Sequence, residues 1–238
     1  MRGKIALLLL LIPFNGFSYF IHTENMTEGD FSNIAEEFGI LSTLSATGGF
    51  DTMGWKELSL SAEVIGMDIA PRSSHWKKAL KGKRAPDILP LLRFEIEKGL
   101  PWSFDIGFHI TNLPSSQMEM AGFWIEYEIM RESIFRPSLS VRSSFTSTIF
   151  SESPHIYSIT LETGISKRKA GFVYYAGFGT FYSKANAAGF EEKNFVKVKG
   201  TLGITFLIEA FTITLEADIS SIFLYTIGTG MKFYPDPF

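Results

Sequence analysis

From Trp55 onward the chain breaks into segments of about ten residues in which apolar and polar side chains alternate. Leu58, Leu60, Ala62 and Val64 oppose Glu57, Ser59, Ser61 and Glu63. Leu92, Phe94 and Ile96 alternate with Arg93, Glu95 and Glu97, and the run Trp102–Ile110 alternates with Asp105 and His109 on its polar side. Phe123, Ile125, Tyr127 and Ile129 oppose Glu126 and Glu128, while Leu139, Val141 and Phe145 oppose Ser140, Arg142 and Ser144. Ile159, Leu161 and Ile165 oppose Thr160 and Glu162; Val196, Val198 and Leu202 oppose Lys197 and Lys199; Ile213, Leu215 and Ile219 oppose Glu216 and Asp218. Phe223 to Phe233 closes the series, and residues 171–182 are aromatic on both faces, so their register stays open. A period of two over segments of this length predicts ten β-strands with unlike faces.

Length and connection pattern choose between a soluble sheet and a membrane barrel. Strands of soluble domains run to about 5–6 residues, whereas a tilted membrane-spanning strand needs about 9–11. Connections at 98–101, 132–136, 167–170 and 207–211 are short; those at 69–88, 113–117, 149–155 and 183–194 are mostly longer, with 220–221 the exception. Short periplasmic turns facing longer outer loops characterise outer-membrane barrels. Lipid offers no partner to an open sheet edge, so the strands must close. The expected fold is therefore all-β: a closed antiparallel transmembrane β-barrel with a short N-terminal amphipathic helix. Its polar face, carrying Glu57, Glu63, Arg93, Glu95, Asp105, His109, Glu126, Glu128, Arg142, Glu162, Lys197, Lys199, Glu216 and Asp218, is read as a wet lumen. Trp102, Phe172, Phe211 and Phe233 on one side, with Phe145, Tyr157, Phe195 and Phe223 on the other, are read as interfacial girdles.

Ahead of the strands lie two further segments. Arg2 and Lys4 precede the apolar run Ile5–Ile12, and Gly16 and Ser18 occupy plausible cleavage positions, so residues 1–18 read as a signal peptide. In residues 19–54, Phe31, Ile34, Ala35, Phe38 and Leu41 recur at helical spacing with Glu36 and Glu37 opposite. Residues 23–55 carry no Lys or Arg against Glu24, Glu28, Asp30, Glu36, Glu37 and Asp51. Interfacial helices favour cations on their polar face. This acidic segment is better matched to a lumen holding Arg93, Arg142, Lys197 and Lys199, its helix serving as a plug or mouth cap. A ten-strand barrel leaves a lumen on the order of 10 Å, and a helix needs about 10–12 Å, so the fit is tight.

The first long loop is the basic counterpart: residues 71–86 hold Arg72, Lys77, Lys78, Lys81, Lys83 and Arg84 with no acid, around Trp76. Facing outward, those cations would meet the phosphates of lipopolysaccharide. Composition adds exclusions. The absence of cysteine removes disulfides, thiolate metal sites and a lipid anchor on an N-terminal Cys. With 22 basic against 25 acidic residues there is no nucleic-acid footprint. The mean hydropathy of +0.13 comes from the signal and the half-apolar strands.

From Asp30 to Phe233 the chain resembles an uncharacterised group of bacterial outer-membrane β-barrel proteins. The features that carry the likeness are the short acidic helix, the Gly48-Gly49-Phe50 bend, His75-Trp76-Lys77-Lys78-Ala79, the Glu97-Lys98-Gly99-Leu100-Pro101 turn and the closing Gly230-Met231-Lys232-Phe233. The last strand looks like the signal read by the barrel-assembly machinery, followed here by a tail at 234–238. The resemblance implies a barrel at 55–233 in the bacterial outer membrane and no established activity; a monomer is expected.

Catalytic material is thin. His109 beside Asp105 reads as a buried ion pair, and Ser151, Ser153 and His155 share a loop at the rim where a hydrolase could sit. No catalytic set, metal-ligand spacing, phosphate loop or cofactor motif is present. The expected function is a narrow gated pore or small-molecule transporter, the alternative a non-conducting structural or surface-binding barrel acting through its basic loop.

Overall fold

A computed structural model describes residues 22, 25–43, 48–69, 73–80, 86–113, 118–150 and 154–233. The expected signal peptide, the tail after Phe233 and loop residues Arg72, Lys81, Lys83 and Arg84 lie outside the described residues. The chain order is helix α1 (Glu28–Leu41), β1 (Leu58–Asp68), helix α2 (Ser74–Ala79), β2 (Ile88–Leu100), β3 (Phe104–Asn112), β4 (Glu119–Met130) and β5 (Ser138–Phe150). Then follow β6 (His155–Lys169), β7 (Phe172–Asn186), β8 (Lys193–Ile208), β9 (Phe211–Ile219) and β10 (Phe223–Phe233).

Each strand pairs antiparallel with its sequence neighbours, and β1 pairs with β10 from Leu58↔Phe233 to Met67↔Leu224, so the barrel is closed with ten strands. Closure removes both edges, which lipid could not have satisfied. The alternation resolves as the sequence predicts: Phe123, Leu161, Phe178 and Val196 are exposed on the outside, the last at 71%. That belt is the lipid-facing surface. The unreadable stretch in β7 also settles: Val173, Tyr175, Phe181 and Ser183 point inward, while Tyr174 and Phe178 point out. Near the longer connections an outward aromatic row crosses four strands, with ring centroids 5.8 Å apart for Phe123–Phe145, 6.3 Å for Phe145–Tyr157 and 6.4 Å for Tyr157–Tyr182. Phe195 is a correction to the predicted girdle: it shares the inward face of β8 with Lys197 and packs on the interior core.

The tight connections, such as Ala170-Gly171, where both residues have positive φ, define a turn end; the longer ones define a loop end. By the outer-membrane pattern the turn end faces the periplasm. Helix α1 is capped by Thr27, whose side chain accepts from the backbone N–H of Asp30 while the Asp30 carboxylate accepts from that of Thr27. It stands inside the barrel at the loop end.

Candidate functional site

The barrel interior is the one place where this fold gathers chemistry, and it has three levels. The uppermost is apolar. Phe31, Ile34, Ala35 and Phe38 of α1 pack against Ile65 and Met67 of β1, Leu89 and Leu91 of β2, Met120 of β4, Ile156 of β6, Phe181 of β7 and Leu224 of β10. Here the wet-lumen expectation is corrected: the inward face of the strands turns from polar to apolar over their last turns, and the helix fills it as a core. Phe31 stacks on Phe190 at 4.6 Å.

Helix α2 seals the same core from the first loop. Trp76, expected at the surface, is 1% exposed and lies 6.1 Å from Phe38. Its indole N–H donates to Glu37 at 2.6 Å, and His75 meets the same carboxylate at 3.1 Å. A ring this large with one polar atom is buried once that atom has a partner. Lys78 pairs with Asp30, leaving Lys77 exposed on the outer side.

The middle level is a charged belt formed by the wall itself. Arg93 pairs with Glu63 at 2.6 Å, Lys199 with Glu162 at 2.7 Å and with Asp218 at 3.7 Å, and Arg142 with Glu126. Glu95 accepts from the Trp124 indole at 3.2 Å, and Glu216 from the Tyr175 hydroxyl at 2.7 Å. The thirteen predicted lumen residues that lie on strands are inward, Lys197 half-buried and the other twelve buried, while Glu57 is half-buried in the turn before β1. Which charges meet is another matter. Of the four cations expected near the acidic segment, Lys197 meets a helix acid, at 2.9 Å from Glu36, and Arg142 meets the segment at the Gly49 carbonyl. Arg93, Arg142 and Lys199 are held by wall carboxylates. His109 and Asp105 do not pair: His109 meets Thr146 at 3.3 Å, and Asp105 accepts from the backbone N–H of Met53 at 2.7 Å.

The lowest level holds the anchor. Phe50 lies where a Cβ on Gly164 or Gly177 would collide with its ring, so these facing glycines form its seat. Ser138 and Ser140 donate to its carbonyl at 2.9 and 3.0 Å, and its N–H donates to Ser166. The Arg142 guanidinium sits 4.8 Å from the Phe50 ring and 5.0 Å from that of Trp124, and donates to the Gly49 carbonyl at 2.9 Å. A cation between two ring faces, desolvated, adds roughly 2 kcal/mol. Asp51 meets Arg168 at 3.1 Å. Beside the anchor a narrow polar cavity is lined by Ser59, Ser61, Glu97, Thr212, Thr214 and Lys232.

Phe50, Trp124 and Tyr175 are the site residues that pattern reading passed over. Inward parity marks the two wall aromatics, and Gly107 and Gly203 face them across the ladder, leaving room for their rings. Phe50 carried only the signal of its Gly-Gly bend. Ser151 and Ser153 lie outside the described residues, and among the described ones no cluster could hold a metal.

No protein-family model and no curated protein matches the chain. Solved structures similar to it include the KdgM porin, at 11% identity over 74% of this chain and 99% of that one, with a TM-score of 0.41. OprG from Pseudomonas aeruginosa is similar at 12% identity over 80% and 100%, with a TM-score of 0.39. The N-terminal β-barrel domain of Pseudomonas aeruginosa OprF is similar at 9% identity over 76% and 100%, with a TM-score of 0.35. On its own closed ladder, apolar belt and short turns opposite longer loops, the chain is an outer-membrane β-barrel, filled by its own N-terminal segment.

Proposed function

We propose that the protein is a gated outer-membrane passage for small hydrophilic solutes, closed in its resting state by residues 25–53. The observation that carries this reading is that the obstruction is a segment separate from the wall. Its lower half is held by backbone hydrogen bonds and one guanidinium beside a hydroxyl-lined, periplasm-facing cavity, contacts that water can replace. A solute entering there would meet Ser59, Ser61, Thr212 and Thr214, with Glu97 and Lys232 at hand.

The test exploits the missing cysteines. The hydroxyls of Ser42 and Ser158 touch, so Ser42→Cys with Ser158→Cys places two thiols within disulfide reach between the plug and β6. In planar bilayers the reduced protein is expected to open and the oxidised one to stay shut. A second reading, a non-conducting structural or surface-binding barrel, is favoured by the apolar upper core, which behaves as a protein interior. Silence in both redox states, with the barrel shown to be inserted, supports that second reading and overturns the passage.

A further inference from the structure

We infer that the N-terminal segment is threaded outward through its own barrel, so that its leading end is displayed on the cell surface, opposite to the face where β1 starts and β10 ends. At its leading end, the His22 backbone N–H donates to the Ala79 carbonyl of α2 at 2.9 Å. Glu28 meets Lys193 at 2.9 Å and accepts from the Glu191 backbone N–H at 3.1 Å, both at the start of β8 or just before it. Glu36 accepts from Ser221, between β9 and β10, at 2.7 Å. Three separate loop-end connections thus grip the first half of the segment.

Its second half touches the opposite end. Met53 reaches Asp105 at the start of β3, Asp51 reaches Arg168 at the end of β6, and Gly54 lies against Gly99 at the end of β2. A turn follows, with the Glu57 N–H donating to the Gly54 carbonyl at 2.8 Å, and β1 then runs back toward the loops. The path is long enough: 14 helical residues span about 21 Å, and residues 48–54 lie at the opposite end of the barrel.

Direction is written into charge as well as into sterics. Glu28, Asp30 and Glu36 each meet a cation at the loop end, where Glu37 meets the His75 ring and the Trp76 indole, and Asp51 meets a cation at the turn end. A segment inserted the other way would strand these acids beside the wall's own carboxylates. Because the β1–β10 ladder closes around the segment, residues 22–57 and β1 enter as a hairpin before that seam forms. This inference concerns topology and stands apart from whether the barrel conducts.

A chain without cysteine allows a single introduced thiol to report its side of the membrane. Asn25→Cys, Ala188→Cys and Ser133→Cys, all at exposed positions, are made separately in the full-length protein and probed on intact cells with a membrane-impermeant maleimide. Ala188 marks the loop end and Ser133 the turn end. Asn25→Cys is expected to label on intact cells as fully as Ala188→Cys, within about 2-fold of its value after the outer membrane is permeabilised. Ser133→Cys should gain 10-fold or more on permeabilisation. Labelling of Asn25→Cys that needs permeabilisation, as Ser133→Cys does, overturns the threading. Heat-modifiable migration of each variant establishes that the labelled species is the folded barrel.

Discussion

The two halves of the lumen are held by different physics. At the loop end, side chains from seven strands and two helices form an apolar core that excludes water. At the turn end, the same barrel holds its segment with hydrogen bonds, one sandwiched guanidinium and the Phe50 ring on its glycine seat, beside a polar cavity. An apolar core is lost in proportion to the volume removed. A buried charged contact depends on leaving no carboxylate alone. The barrel thus holds its segment by apolar packing at its outer end and by polar anchoring around one ring at its inner one.

The largest effect is expected from emptying the locked half. Phe38→Ala should cost about 3–5 kcal/mol, the range for deleting a fully buried ring, read from urea unfolding of the barrel in lipid vesicles. A change below about 1 kcal/mol would mean that the helix is not part of the folded core. Arg142→Ala comes next, at about 3 kcal/mol, because it leaves the Glu126 carboxylate buried without its partner. Adding Glu126→Gln should recover a good part of that loss, and additive losses would sink the pairing.

Trp76→Phe keeps most of the buried ring but removes the donor to Glu37, for about 1.5–3 kcal/mol, with His75 partly compensating. The smallest effect is at the rim, where Lys197→Gln should cost no more than about 1 kcal/mol, as for half-exposed pairs elsewhere.

The wall was legible in the sequence because a two-residue period carries its own geometry: one alternation decides which side chains meet lipid, whatever the neighbours are. Ten strands, their order of connection and the inward set from Glu63 to Asp218 all followed from that local rule. The helix followed from its 3.6-residue period in the same way, while its Thr27 cap emerged only in the structure. Trp76 went astray because a basic loop predicts solvation only when nothing apolar lies within reach, and reach is a property of the closed barrel.

What only the tertiary structure decided is who meets whom. Arg142 could have faced the helix acids; it faces Glu126 and Phe50 because strand register and the Gly164–Gly177 seat put them there. Ile65, Met67, Leu89 and Leu91 sit on the polar side of the alternation in sequence, and closure turns them into a core around α1. The side of each residue is a local property of the chain, set by backbone stereochemistry. The level at which residues from distant strands coincide, and the direction in which the N-terminal segment runs past them, exist only once the β1–β10 seam is closed.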